Sequence, residues 1–564
     1  MIFEQMPLRI PRVNSIRTKG EKITLELRNA KTKEEAFKAV KKSFKLQDDI
    51  SSDITIIQVR NTIDTNDKVY EKANDKVNEI APIINEILLQ FQKEILNSPF
   101  KSDIEEKFGE LLIRQMETEM KVFDNKIIDK LVEENKLVTE YDKILASAKI
   151  DFRGETLSLT QLAKYMVNKD AQTREDAAKL YYGYYEEHNE EIGNIYDKLV
   201  HLRNDMAKEL GFKNFVEMGY LRLGRLDYNA QMVKGYRDQI HEVVVPVVKK
   251  LRVRQAKRLG IKKPLFLDYN LDFLSGNATP KGDSTFLVEK ARKMYHEMGK
   301  ESGEFFDFMT ENHLLDLDAK LGKAGGGYMT YIPRYKSPFI FSNSNGTSAD
   351  VDTLTHEVGH AFQGYLGSKI KVPSYRMPTL ESAEIDSMSM EFFAWDWMDG
   401  FFGDDAEKYK FAHLDSSISF LPYGVEVDEF QHIVYENPDL THEERCQKWK
   451  ELEAKYRPWV NYKGFDFLLN GGYWMRQHHI FSSPFYYIDY TLAQIIALQF
   501  KCELDKNREK AWKKYIKLLK MGGKYTFLEL LERAKLRNPF IEGNVKKVIK
   551  PQIKVLNSFD DKNM

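Results

Sequence analysis

A His-Glu-x-x-His pentad at residues 356–360, inside the stretch DVDTLTHEVGHAFQGYLG, constrains this chain more than any other feature. On an α-helix, His356 and His360 project from one face about one turn apart, so both imidazoles can meet a single ion. Glu357 lies about 100° round the helix and flanks that ion without binding it. The pattern predicts a helix that holds a catalytic metal, and an ordinary helix that carries two histidines is the alternative.

The residues before the pentad predict where its helix begins. Thr347 or Ser348 can cap the first turn. Asp350 and Asp352 suit the positive end of the helix dipole. The sequence therefore predicts a helix whose first turn lies just before the two histidines.

A catalytic zinc site of this type usually needs a third protein ligand and one position left open for water. The next predicted helix, PTLESAEIDSMSMEFFAWDWMDG, carries four acidic residues, and the residue types alone do not choose among them: Glu381, Glu384, Asp386 and Glu391. Groups that orient the imidazoles through their far nitrogens are also expected, and Asp352 and Glu391 are candidates for that role.

The rest of the chain is mostly helical in pattern. Apolar residues recur at three- and four-residue steps between residues 77 and 95, which is typical of a helix that packs on a core. Short β signals interrupt this pattern at Lys22–Arg28, Asp151–Thr160 and Gly325–Phe341. We therefore predict a mostly α protein with a small sheet, an N-terminal lobe over residues 1–190 and a second lobe over 191–564.

Charge and cysteine content narrow the function classes. The 85 Lys and Arg residues against 86 Asp and Glu residues give a net charge of -1, so no basic field favours nucleic acid or an anionic membrane. Cys446 and Cys502 are too few for a disulfide framework, which favours a reducing compartment. We see no secretory signal at the start and no apolar run long enough to span a bilayer. We expect a cytoplasmic protein with no membrane or nucleic-acid partner.

A glycine-rich segment precedes the pentad. Gly325, Gly326 and Gly327 lack side chains beside Tyr328, so an extended peptide could approach this strand edge closely and add a strand. A plain β-hairpin is the competing interpretation. The residues alone favour substrate binding and the hairpin about equally.

The pentad and the segment Glu384-Ile-Asp-Ser-Met-Ser-Met-Glu391 resemble the zinc oligopeptidases of the thimet oligopeptidase and oligoendopeptidase F family. The resemblance covers roughly residues 150 to 545 and is closest to the shorter bacterial oligoendopeptidase F-like and Pz-peptidase-like members. Besides the pentad, it extends to these segments: Leu221–Asn229, Tyr423–Arg445, Gln477–Gln494 and Met521–Phe540.

This resemblance implies a mostly α zincin with two helical lobes around a deep substrate channel and a small β-sheet near the active site. It implies one Zn²⁺ per chain, held by His356, His360 and Glu384, with Glu357 as the general base. The implied activity is cleavage of internal bonds in short unstructured peptides. The implied substrate and transition-state ligands lie in one later segment: His479, Tyr486, Tyr487 and Tyr490.

Other functions remain open at this point. A zinc carboxypeptidase or dipeptidase could share the metal motif and would need an arginine for a terminal carboxylate, such as Arg334, Arg376 or Arg476. A ferritin-like di-iron oxidoreductase would use two Glu-x-x-His motifs, at residues 357–360 and 429–432. The sequence leaves the oligomeric state and the preferred side chain at the cut site open.

Overall fold

The computed structural model of the protein describes residues 1–320 and 322–564, with the backbone alone at residue 146. Helices make up 71% of it and the sheets are small, which confirms the mostly α prediction. Within the described residues, no helix has both the length and the apolar composition that crossing a membrane requires.

The elements of the first half of the chain are, in order, α1 (Val13–Arg28), α2 (Lys33–Ile63), α3 (Lys68–Asn97), α4 (Lys101–Phe108), α5 (Glu110–Val122), α6 (Ile128–Ala146), β1 (Ile150–Phe152), β2 (Glu155–Leu157), α7 (Leu159–Ala163), α8 (Ala171–Glu187), α9 (Asn189–Glu209), α10 (Phe215–Arg222), α11 (Ala230–Gln239), α12 (Val245–Arg258), α13 (Ser284–Met298) and α14 (Lys300–Glu311).

The elements of the second half are β3 (Leu315–Asp318), β4 (Tyr328–Ile332), β5 (Ser337–Ser344), α15 (Ala349–Gly367), α16 (Leu380–Phe393), α17 (Met398–Phe402), α18 (Ala406–Glu436), α19 (His442–Tyr456), α20 (Asp466–Leu469), α21 (His478–Ser482), α22 (Tyr487–Leu504), α23 (Arg508–Leu519), α24 (Phe527–Arg533) and α25 (Asn544–Ser558).

The chain folds into two compact units, each made of three separate segments. Unit 1 contains residues 1–125, 280–401 and 507–534. Unit 2 contains residues 126–279, 402–506 and 535–564. The boundary expected near residue 190 lies at the start of α9, inside unit 2, so the two units do not follow a single division of the chain.

The sheet of unit 1 precedes the helix that carries the pentad. Its strand order is β3-β5-β4, with β3 parallel and β4 antiparallel to the central strand β5. Residues Ser337–Ser342 of β5 are all buried, as expected for a strand covered on both faces. Strand β4 pairs with β5 alone, from Tyr328 opposite Phe341 to Ile332 opposite Ser337, so it is an edge strand.

Helices α15 and α16 pack against each other at backbone contact. A Cβ atom on Gly359 of α15 would lie 2.6 Å from the Cα of Ser387 and 2.7 Å from the carbonyl oxygen of Asp386, both in α16. Only a residue without a side chain permits this approach. The contact brings the helix of the pentad and the helix of the acidic residues together.

Two of the three segments that were expected to contain strands do contain them. The strands expected within Asp151–Thr160 and Gly325–Phe341 are confirmed as the β1–β2 hairpin and the β4–β5 pair. The strand expected at Lys22–Arg28 is wrong, because this segment is the end of α1, with Gly20, Ile23 and Leu27 buried at three- and four-residue steps. Polar and apolar residues alternate only within this short segment. Over the whole of α1 the apolar residues follow the helical period, and that period decides the structure.

Candidate active site

The two pentad histidines and one acidic residue of α16 converge in unit 1. Nε2 of His356 lies 3.2 Å from Oε2 of Glu384, and Nε2 of His360 lies 3.6 Å from the same oxygen. The three ligand atoms lie within 4.8 Å of one another. Nowhere else in the described part of the chain do three His, Cys, Asp or Glu side chains converge in this way.

These separations match a tetrahedral metal site. Ligand atoms about 2.1 Å from one zinc ion, at tetrahedral angles, lie about 3.4 Å from each other. The two nitrogen-to-oxygen distances lie on either side of that value. The donor set of two imidazoles and one carboxylate is one that catalytic zinc sites use, so these residues fit the ion.

Neighbouring groups hold the three ligands in place. Nδ1 of His356 donates to Oε1 of Glu391 at 2.7 Å, which leaves Nε2 free to bind a metal. The Ser387 hydroxyl lies 3.2 Å from Oε2 of Glu384. The His360 ring donates a hydrogen bond to the backbone carbonyl of Ala383. The contact between Glu391 and His356 thus supports the orienting role expected for Glu391.

The electrostatics of the cluster favour a cation. Burial would lower the pKa of His356, but its hydrogen bonds to Glu384 and Glu391 raise that pKa well above its usual value. Burial lowers the pKa of His360 to about 4, which keeps this imidazole neutral, as a metal ligand must be. The carboxylates of Glu384 and Glu391 thus give the cluster a negative charge that favours a cation beside the imidazoles.

Glu357 is placed to act as a base. Its side chain is buried, and its Oε2 atom has no hydrogen-bond partner among the described residues. Burial is the main cause that raises the pKa of Glu357 to about 7, and Glu384 raises it further while His356 opposes the rise. A carboxyl group with this pKa can both take and return a proton near neutral pH.

The three glycines before β4 differ in their surroundings. Gly326 has a φ of 84°, in the left-handed region that favours glycine, and a Cβ on Gly325 or Gly326 would meet open space. A Cβ on Gly327 would lie 3.1 Å from Cγ2 of Thr353 and 3.9 Å from Oε1 of Glu357. Gly327 is therefore the glycine that adjoins the candidate base.

Tyr328 follows at the first position of β4. Its ring stacks on Phe341 with a centroid distance of 4.8 Å, and its hydroxyl lies 2.6 Å from the Thr62 hydroxyl on α2. Because Thr62 donates to the carbonyl of Val59, the Tyr328 hydroxyl is the donor in this pair. The beginning of β4 is thus fixed against α2.

In unit 2, a chain of hydrogen bonds fixes the orientation of His479. The Tyr423 hydroxyl donates to Oε1 of Gln477 at 2.7 Å, and Nε2 of Gln477 donates to Nδ1 of His479 at 2.8 Å. An imidazole that accepts at Nδ1 carries its proton at Nε2. This Nε2 lies 3.3 Å from the hydroxyl of Tyr490.

The three tyrosines surround the His479 ring but differ in environment. The ring centroids of Tyr486, Tyr487 and Tyr490 lie 5.9, 5.1 and 5.6 Å from that of His479. Tyr487 also packs against Phe420 and Tyr423, each at 5.8 Å, and burial raises its pKa. Tyr487 therefore has the surroundings of a packing residue, whereas Tyr490 contacts the histidine by a polar atom.

Three residues with clear positions at these sites had no assigned role in the sequence. Gly359 lies inside the pentad, Ser387 lies three residues after Glu384 on the same helix face, and Gln477 lies two residues before His479. The spacing of Ser387 could have identified it. Nothing local could have identified Gly359 or Gln477, because their roles depend on contacts with other segments.

Two of the three arginines considered for an end-trimming enzyme, Arg376 and Arg334, have carboxylate partners within the fold. Nη1 and Nη2 of Arg376 donate to the two carboxylate oxygens of Asp48, and Arg334 forms ion pairs with Asp49 and Asp53. All three carboxylates belong to α2. These arginines serve to attach α2 to the segments around the sheet rather than to hold a free terminus.

The residues of the second Glu-x-x-His motif also have structural partners. Glu429 accepts from Lys455 and from the Tyr456 hydroxyl. His432 lies 3.0 Å from the hydroxyl of Tyr220, and burial lowers its pKa to about 4. This motif forms an internal ion-pair and hydrogen-bond network in unit 2.

Comparison with known proteins gives consistent matches along the chain. The model of peptidase family M3 matches residues 164–548, and the model of the peptidase M3 N-terminal domain matches residues 3–123. An oligoendopeptidase F homolog of Borreliella burgdorferi is 24% identical over 426 residues, covering 71% of this chain and 70% of that protein. The family matches together span well over half of the sequence.

Solved structures agree over the whole chain. A structure of Pz peptidase A with an inhibitor is 46% identical, has a TM-score of 0.97, and covers 99% of this chain and 100% of its own. A Bacillus anthracis str. Ames protein, solved as a candidate oligoendopeptidase F, is 45% identical with a TM-score of 0.93, covering 100% of this chain and 99% of its own.

Proposed function

Because the chain belongs to peptidase family M3 and is thereby a metallo-oligopeptidase, we propose that its reaction uses the cluster around His356, with peptides as substrates and one zinc ion per chain. The observation that carries this proposal is the convergence of His356, His360 and Glu384 beside a buried oxygen of Glu357 that has no hydrogen-bond partner among the described residues. The carboxypeptidase and di-iron alternatives are not favoured by this membership.

His356, His360 and Glu384 hold the metal in this proposal. A zinc ion, when bound, supplies Lewis acidity toward a peptide carbonyl and toward water. The chain's own part is to aim the two Nε2 atoms at one point, and Glu391 orients the His356 ring for this by accepting a hydrogen bond from its Nδ1. Cobalt or manganese could occupy the same donors in vitro.

Glu357 moves the proton. Its carboxylate accepts a proton from the attacking water and returns it to the leaving amine, which needs a pKa close to the working pH. Burial, the main cause of the raised pKa of Glu357, provides this match. The absence of a hydrogen-bond partner for Oε2 among the described residues leaves that oxygen available to water.

The substrate binds as an extended strand along β4. Edge strands present unpaired backbone groups that can pair with a peptide, and β4 is the edge strand that begins beside Glu357. Gly327 brings the start of this strand close to Glu357, because a side chain there would crowd Thr353. Gly325, Gly326 and Tyr328 belong to the same substrate-binding segment.

His479 and its tyrosines stabilise charge on the substrate. The Gln477 contact leaves the His479 proton on Nε2, so this atom can donate to a developing oxyanion. Tyr490 is the tyrosine that we assign to the same task, with Tyr486 beside it, while Tyr487 supports the ring by packing. The unpaired Cys446 and Cys502 suit the reducing cytoplasm that we propose as the location.

Mass spectrometry of a short, unstructured peptide blocked at both ends tests this function. After incubation with zinc and the purified protein, we expect internal cuts, because no free terminus is available for an end-trimming enzyme. The matched control is Glu357→Gln, which keeps the three ligands and removes the base, so it should retain zinc and lose nearly all cleavage. A blocked peptide left intact, or a fully active Glu357→Gln variant, would contradict the proposal.

A further inference from the structure

Unit 1 contains a cavity of about 470 Å³ between α2, α3 and β4. Three consecutive strand residues, Tyr328, Met329 and Thr330, line it. Side chains of consecutive strand residues point to opposite faces, so a cavity that meets all three runs along the edge of the strand. Because β4 is the edge strand of its sheet, the cavity borders the edge where a peptide can pair.

The cavity lies close to the candidate base along the strand. Gly327 adjoins Glu357, and the three lining residues of β4 follow Gly327 directly. With a rise of about 3.3 Å per residue, they lie about 3 to 10 Å further along. A peptide paired with β4 has nearly the same spacing, so its residues one to three positions from the cleaved bond would face the cavity.

The wall opposite β4 consists largely of carboxamides. Gln58 and Asn61 come from α2, and Asn74 and Asn78 come from α3. In the described part of the chain, none of these four amide groups has a hydrogen-bond partner. The hydroxyls of Thr62 and Tyr328, by contrast, already bind each other. The amides are therefore the groups available to a ligand.

The lining also determines which ligand chemistry suits the cavity. No charged residue belongs to it. A charged side chain would gain no counter-charge from these residues. Each carboxamide offers both donors and an acceptor, so an uncharged group that also donates and accepts can satisfy several at once.

We propose that this cavity is a specificity subsite that binds an uncharged hydrogen-bonding side chain of the peptide, a carboxamide or a hydroxyl, one to three residues from the cleaved bond. The inference rests on the proposed function, since it requires a peptide paired with β4. It assigns a recognition role to α2 and α3, whose residues lie far from the pentad in sequence.

A peptide series tests the subsite. The parent is a blocked peptide with alanine at the three positions on each side of its mapped cut. Each position is then replaced in turn by Gln, Leu, Glu or Lys, and kcat/KM is measured. We expect one position at which the Gln peptide is cut about five- to tenfold faster than the Glu and Lys peptides, the effect of about one hydrogen bond. A flat profile at all six positions would overturn the subsite.

Variants identify the residues responsible. Asn74→Leu and Asn78→Leu should each reduce the Gln preference about fivefold, because one hydrogen-bonding partner is lost. Asn85→Leu is the matched control, since Asn85 is an exposed residue of α3 outside the cavity, and it should keep the wild-type profile. Unchanged selectivity in both cavity variants would refute the assignment.

A charge variant excludes misfolding as an explanation. Asn78→Asp places a carboxylate at the cavity and should raise kcat/KM for the Lys peptide relative to the Gln peptide about two- to fivefold, the size expected for an ion pair of an exposed residue. A gain of this kind cannot arise from partial unfolding, and its absence would count against the subsite. If the wild-type protein cuts no blocked peptide at all, the proposed function fails instead, so the two failures are distinguishable.

Discussion

Gly359 of α15 lies so close to Ser387 of α16 that a methyl group on the glycine would come within 2.6 Å of the serine Cα. Ser387 is one helical turn beyond Glu384, and its hydroxyl contacts the Glu384 carboxylate. The distance between the two helices at this point therefore determines whether Glu384 reaches the imidazoles of His356 and His360.

Gly359→Ala should weaken both the fold and metal binding. The neighbours of the new methyl group are backbone atoms, which cannot turn aside, so the helices must separate. We expect a loss of about 1–3 kcal/mol in the free energy of unfolding, measured in urea, and a raised zinc Kd. Gly364→Ala in the same helix is the control, because its methyl group would meet only side chains, at 3.5 Å or more. Equal behaviour of the two variants would contradict the role of the contact.

Three of the four acidic residues of α16, Glu381, Glu384 and Glu391, should differ in their effect on zinc. Glu384→Ala removes a ligand and should weaken binding most. Glu391→Ala leaves His356 without its orienting carboxylate and should raise the Kd about 10- to 100-fold. Glu381→Ala should have a smaller effect than the Glu384 variant. Competition with a chelating dye measures the zinc Kd of all three variants. Undiminished zinc binding by Glu384→Ala would mean that the third ligand is another residue.

Gln477 variants should test the orientation of His479. Gln477→Leu removes the donor to Nδ1, so the imidazole is no longer fixed with its proton at Nε2, and kcat should fall about tenfold. Gln477→Glu places a carboxylate against the ring and stabilises the charged imidazolium, so the pH dependence of kcat/KM should move to higher pH. Steady-state kinetics across pH measures both effects. A wild-type pH profile in Gln477→Glu would show that Gln477 does not influence the reaction.

Glu134 should make the free energy of unfolding depend on pH. Burial alone would raise the pKa of Glu134, but Arg203 and Arg222 lower it to about 2. The unfolded value is about 4.3, so the stabilisation is complete above that pH and is lost as the pH falls toward 2. Glu134→Gln should cost about 3 kcal/mol at pH 7, and the difference from wild type should narrow by about 1 kcal/mol at pH 3.5.

Urea unfolding at the two pH values measures this dependence. Glu140→Gln is the matched control, because Glu140 is an exposed residue of the same helix, α6, and its loss should cost little at either pH. A Glu134→Gln deficit that is the same at both pH values would assign the effect to packing rather than to charge.

The sequence by itself determined the local part of the site. The four-residue spacing of His356 and His360 fixes their common face once the segment is helical, and the capping region and apolar pattern make it helical. The predicted start was correct, with Ser348 at the N-cap position, although its side chain makes no capping hydrogen bond. The family resemblance also identified Glu384, which no local rule separated from its acidic neighbours.

Only the tertiary structure decided the rest, because it depends on contacts between distant segments. The helical face of α1 is buried by α3, and a Cβ on Gly20 would lie 2.8 Å from Cγ2 of Ile87. The compact units combine three segments each, which no local signal marks. The carboxamide cavity and the Gly359 contact could not be predicted from the sequence for the same reason. Burial and close approach depend on pairs of distant segments, whereas helical periodicity belongs to a single segment.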